Sequence, residues 1–185
     1  MTDEQIIGRV RGGETRMFGE LVHRYQDPVY GMVVRAVGGR EDAQDIAQEV
    51  FLRVFRGLDG FKGESKFSTW LYRVTWNLCA DWLRRNRRPD RRAAMVAEAD
   101  SLPDRRVNLE EGFLEEEQRG EVRRAMGKLD ERYRGVVNLH YYQKLSYDQI
   151  AFVLDMPVKT VETRLYRARK MLRESLESSG QGGDE

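Results

Sequence analysis

Residues Leu145 to Leu172, LSYDQIAFVLDMPVKTVETRLYRARKML, can fold into little other than two helices joined by a tight turn. Ser146 and Gln149 stand at the S-x-x-Q spacing of a capping box, in which each side chain satisfies a backbone N–H at a helix start. The helix they open runs to Leu154. Asp155 and Met156 make the turn, and Asp tolerates left-handed backbone better than most residues. Pro157 suits the first position of the next helix, where its missing N–H costs nothing. That helix buries Val161, Leu165, Ala168 and Leu172 at i, i+4, i+7 and i+11, and turns Lys159, Arg164, Arg167 and Lys170 away from them. The pattern is a helix-turn-helix. Helical hairpins are common without DNA binding; it is the basic second helix that points to a polyanion.

The rest of the chain repeats the helical period. Asp3 to Arg11 has Ile6, Ile7 and Val10 on one face, with Asp3 as the expected cap and Gly12-Gly13 as the stop. A longer helix is expected over 14–37, with Phe18, Leu21, Val22, Tyr25, Val29, Met32 and Val33 as its stripe and Pro28 bending it. Residues 41–57 form a third, with Ala43, Ile46, Ala47, Val50 and Val54 inward. Asp45, Gln48, Glu49 and Leu52 make a second, mixed face on it. That face reads either as solvated surface or as a docking face for another protein. A fourth helix starts at Lys66 or Ser68, with Ser68 or Thr69 as cap. It buries Leu71, Val74, Leu78 and Trp82 and ends before Pro89.

The fold class is therefore all-α. Two small helical domains, 1–88 and 111–177, are joined by a flexible linker over 89–110, and the second domain holds the helix-turn-helix. A helical piece at 93–99 is expected within the linker, and a disordered tail over 178–185. In the second domain, Phe113, Leu114, Val122, Ala125, Met126 and Leu129 belong to one helix or two, and Asp130 caps the next.

Charge is segregated beneath a formal net of +1. Residues 62–92 hold 9 basic and 3 acidic side chains, and residues 158–173 hold 6 and 1. Between them, residues 98–121 hold 9 acidic and 3 basic. Two basic patches flank an acidic segment, which suits polyanion binding far better than the near-neutral total. The first patch also carries Trp70, Arg73, Asn77 and Arg84 along one side of its helix, after the polar loop Lys62, Gly63, Glu64, Ser65 and Lys66. Rings stack on unpaired bases and arginines hold phosphates. Phe61 and Trp70 have the chemistry to hold an extruded base; Trp70 fits a core position equally well.

Three segments in this order resemble the extracytoplasmic-function (ECF) group of bacterial sigma factors. DAQDIAQEVFLRVF at 42–55 is similar to the family's polymerase-docking segment, FKGESKFSTWLYRVTWN at 61–77 to its promoter-melting segment, and LSYDQIAFVLDMPVKTVETRLYRAR at 145–169 to its minus-thirty-five reader. The resemblance implies that Asp45, Ile46, Gln48, Glu49, Phe51 and Leu52 contact the polymerase. It implies that the loop from Phe61 to Lys66 and Asn77 act at the minus-ten element, where Trp70, Arg73 and Arg84 on the same helix side are expected to join them. It places Glu162, Thr163, Arg164 and Arg167 on upstream DNA, with Lys159, Thr160, Tyr166 and Lys170 beside them. Partners implied are core RNA polymerase, promoter DNA and an anti-sigma factor. The turn has Asp155 where the family often has glycine, and Lys159 stands where many relatives have glycine.

The residues argue against an enzyme. His23 and His140 do not stand at metal-ligand spacing with Cys79, and no G-x-x-x-x-G-K-[ST] phosphate loop is present. No cofactor is expected. The lone cysteine excludes an internal disulfide, and no run reaches the ~20 apolar residues of a membrane span. A cytoplasmic protein with no membrane insertion of its own is expected. The alternatives are a stand-alone helix-turn-helix regulator, which would need no docking face, and a helical adaptor, which would leave both basic patches idle.

Overall fold

The computed structural model describes residues 1–37, 40–86 and 124–180, and every regular element among them is helical. The helices are α1 (Asp3–Arg11), α2 (Phe18–Val37), α3 (Arg40–Gly57), α4 (Phe67–Arg85), α5 (Glu131–Val137), α6 (Tyr147–Leu154) and α7 (Val158–Gly180). The linker at 89–110, the helical piece at 93–99 and the first part of the second domain lie outside the described residues.

Local chemistry moves several helix starts from where they are expected. Thr2, not Asp3, caps α1, through a reciprocal capping box with Gln5. Asp3 instead pairs with Arg24 and accepts from the Tyr25 hydroxyl at 2.5 Å, tying α1 to α2. The long second helix is split, because Glu14 turns back to Arg9 and Thr15–Met17 form a 3-10 turn before α2. In α4 neither Ser68 nor Thr69 caps; Lys66 stands at the cap without a side-chain bond. The helix ends at Arg85, before Pro89, where Asn86 Nδ2 donates to the Trp82 carbonyl at 3.0 Å.

In the helix-turn-helix, Ser146 and Gln149 form the expected box, and Asp155 ends α6 in left-handed conformation (φ 51°, ψ 54°). That conformation costs an L-residue about 1 kcal/mol, which glycine avoids. Pro157 sits one position earlier than expected, its carbonyl accepting from the Thr160 N–H at 2.9 Å. Helix α7 continues through Ser178 and Ser179 to Gly180, into what the sequence suggests is tail.

The first core joins Ile6 of α1, Leu21, Val29 and Val33 of α2, Ala43, Val50 and Val54 of α3, and Phe67, Leu71 and Leu78 of α4. The second gathers Tyr133, Val136, Leu139, Ile150, Val153, Val161, Leu165 and Ala168 from α5 to α7. The two halves are not separate bodies in the structure. Met32 and Tyr72 of the first half are buried in the second core, and Trp76 packs against both cores. Asn138, wholly buried in the π-helical turn after α5, accepts from Arg35 Nε at 3.1 Å and donates to the Met32 carbonyl at 3.2 Å. Gln149 Nε2 donates to Thr69 Oγ1 at 3.3 Å, and the Arg35 guanidinium lies 4.1 Å from the centre of the Tyr142 ring.

Cys79 is completely buried in the first core, and burial pushes its thiol up to about 12. Thiolate, the reactive form, is then scarce at neutral pH. Folded protein at about pH 8 should resist alkylation by iodoacetamide, and unfolded protein should react fully at this one site. Mass spectrometry of the two samples checks it; equal labelling would overturn the assignment.

Candidate nucleic-acid and protein interfaces

On α3 the inward stripe leaves a free side, and the positions expected to dock a partner divide between the two. Ile46 is 8% exposed and Phe51 half-buried, so they hold the helix in place. Asp45, Gln48 and Leu52 face outward, with Glu49 half-buried and bonded to Arg53 Nε at 2.8 Å. Leu52 is 50% exposed and Phe55, three residues on, 41%. Phe55 rests edge-on against Phe18 with ring centres 5.0 Å apart. The sequence reading missed Phe55, although it extends the 45-48-52 line by one turn. Two large apolar side chains thus stand a turn apart on the outward side of an otherwise polar helix.

The loop before α4 is anchored at both ends by aromatic rings. Phe61 is buried, with its ring 5.9 Å from Phe67 and 5.2 Å from Trp70. Trp70 is half-buried against the same cluster, 6.0 Å from Phe67. Of the two readings open for Trp70, the packed one describes its position here, and Phe61, expected to meet a base, is packed as well. Arg11 Nη2 reaches across from the end of α1 and donates to the carbonyls of Leu58 and Phe61. Between the anchors, Lys62, Gly63, Glu64 and Lys66 are exposed and Ser65 half-buried. Gly63 has φ +74°, a conformation that other residues adopt only under strain. The outcome is a polar rim on a fixed base.

Along α4, Asn77 and Arg84 are exposed, and Arg84 pairs with Asp81 at 2.6 Å. Arg73 is half-buried, its side chain 35% exposed, and its carboxylate neighbour is itself largely in solvent. Its guanidinium lies 4.6 Å from the centre of the Phe152 ring and 3.9 Å from the Asp155 carboxylate, both belonging to the helix-turn-helix.

The second basic surface is a cleft of about 480 Å3 between α5 and α7, lined by Arg132, Lys159, Thr160, Thr163, Arg164 and Arg167. The cationic side chains converge there, and Tyr166, 71% exposed, stands on the same helix. Thr163 Oγ1 donates to the Lys159 carbonyl at 2.9 Å, which occupies its proton and leaves its lone pairs outward. Arg132 was not anticipated, because it lies outside the motif and only the fold brings α5 beside α7. Lys170 pairs loosely with Glu174 at 3.9 Å. Glu162 is exposed and has no ion-pair partner among the described residues. The arrangement suits a phosphate backbone in the cleft with Glu162 free to accept from a base.

Among the described residues there is no group of three or more His, Cys, Asp or Glu side chains fit to hold a metal, and no helix is long and apolar enough to cross a membrane.

Residues 21–89 match the family model for Sigma-70 region 2, and residues 119–172 match Sigma-70, region 4. RNA polymerase sigma-H factor of Pseudomonas aeruginosa is 36% identical over 181 residues, 95% of this chain and 94% of that protein. The ECF RNA polymerase sigma factor SigW of Bacillus subtilis is 35% identical over 95% of this chain and 97% of its own length. Among solved structures, CnrH in complex with the cytosolic domain of CnrY superposes with a TM-score of 0.68 at 28% identity, covering 95% of this chain and 97% of CnrH. The sigma factor RpoE of Bartonella quintana, solved with the anti-sigma factor NepR, shares the fold with a TM-score of 0.66 at 19% identity, covering 86% of this chain and 96% of that one.

Proposed function

The chain belongs to the ECF group of bacterial RNA polymerase sigma factors, and from that premise we propose how its surfaces divide the work of starting transcription. It is a transcription initiation factor: it binds core RNA polymerase, directs it to particular promoters and helps open the DNA there. The α3 face around Asp45, Gln48, Glu49, Leu52 and Phe55 docks the polymerase. The rim Lys62 to Lys66, with Asn77 and Arg84, meets the opened minus-ten element, while Phe61 and Trp70 hold the rim in place. The cleft beside α7 grips the upstream duplex, with Arg132 added to the motif's own arginines.

The observation that supports this reading is the pairing on one chain of an exposed apolar pair on α3 with a basic segment at 62–92 and a basic cleft beside α7. A stand-alone regulator would have no use for the first, and an adaptor no use for the others. The factor carries no catalytic residue of its own and acts where the polymerase is, in the cytoplasm. An anti-sigma factor is the further partner; CnrH, similar over nearly its whole length, was solved bound to a second protein.

Transcription from a promoter selected by this protein should require both the protein and added core polymerase, with neither sufficient alone. Run-off assays with each component withheld check it. Repression by the protein alone, with no stimulation of core polymerase, would favour the stand-alone regulator.

A further inference from the structure

The rim Lys62 to Lys66 leaves the core at two points, and they are held by different means. At its end the Lys66 carbonyl accepts from the backbone N–H of Thr69 and Trp70 at 3.0 and 3.2 Å, so α4 itself fixes that side. At its start the chain comes off a single 3-10 turn, Leu58–Gly60, with no longer helix beyond it to fix the backbone. The Arg11 guanidinium takes that part. Its Nη2 donates to the carbonyls of Leu58 and Phe61 and lies 3.4 Å from that of Asp59. Leu58 and Phe61 are also the residues whose side chains pin this stretch into the core. Among the described residues, no other side chain from outside the segment bonds the backbone over 58–66.

Arg11 is not needed to keep α1 in place. Ile6, Ile7 and Val10 bury that helix in the first core, and Asp3 ties it to Arg24 and Tyr25 of α2. Arg11 stands at the opposite end, the last residue before the closing Gly12, and its hydrogen bonds all run to this one stretch. A polar loop selects one base over another only while its donors and acceptors keep their places, to within about 0.5 Å. Gly63, with no side chain and a left-handed backbone, gives the rim little stiffness of its own. The geometry of the rim is therefore set by its two ends.

We infer that Arg11 is the positioning residue of the rim, a side chain of α1 that holds the Leu58 and Phe61 carbonyls and thereby sets how sharply the rim discriminates among unpaired bases. The inference rests on the reading of the rim given above for what is bound; the tie to the backbone does not. Arg11 touches no DNA in this role, because its donors face the carbonyls. One guanidinium nitrogen makes both main bonds, so a lysine ammonium, with three donors, can stand in for it. A methionine keeps an unbranched stem and has no donor.

The test uses holoenzyme assembled from core polymerase and wild type, Arg11→Met or Arg11→Lys. The probes are two labelled single strands: the minus-ten strand of a promoter selected with wild type, and the same strand with its most strongly preferred base replaced. For Arg11→Met the ratio of the two affinities should fall about tenfold, the effect of losing one hydrogen bond to a charged group. Arg11→Lys should recover most of the ratio. Affinity for core polymerase and for the replaced strand should stay as in wild type, which a role in stability alone would not give. In the protein without DNA, NMR hydrogen exchange should find the Phe61 amide, bonded to the Leu58 carbonyl at 3.1 Å, protected in wild type and about tenfold less so in Arg11→Met. A Phe61 amide unprotected in wild type overturns the tie without recourse to any variant. An unchanged ratio with unchanged exchange refutes the role of Arg11. An unchanged ratio with a faster Phe61 amide refutes the reading of the rim, and with it the consequence for base selection, while the tie stands. Equal weakening toward both strands reduces Arg11 to a stabilising side chain.

Discussion

Leu52→Asp should lower affinity for core RNA polymerase at least tenfold while leaving the fold intact. Leu52 is half exposed on α3 and stands beside Phe55, also exposed, so its side chain contributes little to the core. Surface substitutions of this kind usually change stability by no more than about 0.5 kcal/mol. Binding is different. Burying a leucine at an interface is worth roughly 1.5–3 kcal/mol, and each 1.4 kcal/mol is a factor of ten in affinity. A carboxylate in that position loses this contribution and must also be desolvated. Fluorescence anisotropy with labelled protein and core polymerase measures the loss, and thermal unfolding supplies the control. Wild-type affinity in the variant would move the docking surface off α3. Ala47→Asp, by contrast, would disrupt the core and could not separate docking from folding.

Arg164→Ala combined with Arg167→Ala should weaken binding to every upstream duplex alike. Both line the cleft between α5 and α7. Removing one arginine–phosphate pairing should flatten the slope of log affinity against log salt by about 0.9, so the double variant should flatten it by about 1.8. Glu162→Ala should behave differently. The carboxylate has no intramolecular ion pair among the described residues, which favours a role as acceptor from a cytosine amino group. Its loss should change the preferred base at one position, worth roughly 1–3 kcal/mol of discrimination, and leave the salt slope unaltered. Titrations at several salt concentrations and selection from a randomised upstream element separate the two effects. A double arginine variant with the wild-type salt slope would remove the cleft from DNA contact.

The helices themselves were legible because their stripes are long and their punctuation is strong. Ser146-Gln149, Asp130 and the 161-165-168 stripe all stand as read. Starts were less legible where two side chains competed for one cap, as Thr2 and Asp3 did, or where an ion pair such as Arg9–Glu14 bent the chain. The site residues separated by burial, which period alone does not give. Ile46 and Phe61 carry the right chemistry for contact and lie inside. The contact between the halves was the least legible feature, since it joins residues about 60 to 115 apart in sequence. A trace of it was present. Thr69, Tyr72 and Trp76 form a second stripe on α4 beside Leu71, Thr75 and Leu78, and a helix apolar on two sides is covered on two sides.

The Arg11 side chain that binds the carbonyls of Leu58 and Phe61 has a consequence for the proposed action of the loop on DNA. Restricting the backbone of one residue costs about 1–2 kcal/mol of conformational entropy. A loop left free in the absence of DNA would lose that freedom on meeting a base, and the affinity would fall accordingly. Here part of the ordering is completed when α1 folds, long before any promoter is encountered. If the rim meets opened DNA as proposed, its binding free energy goes to separating bases rather than to arranging the loop that receives them.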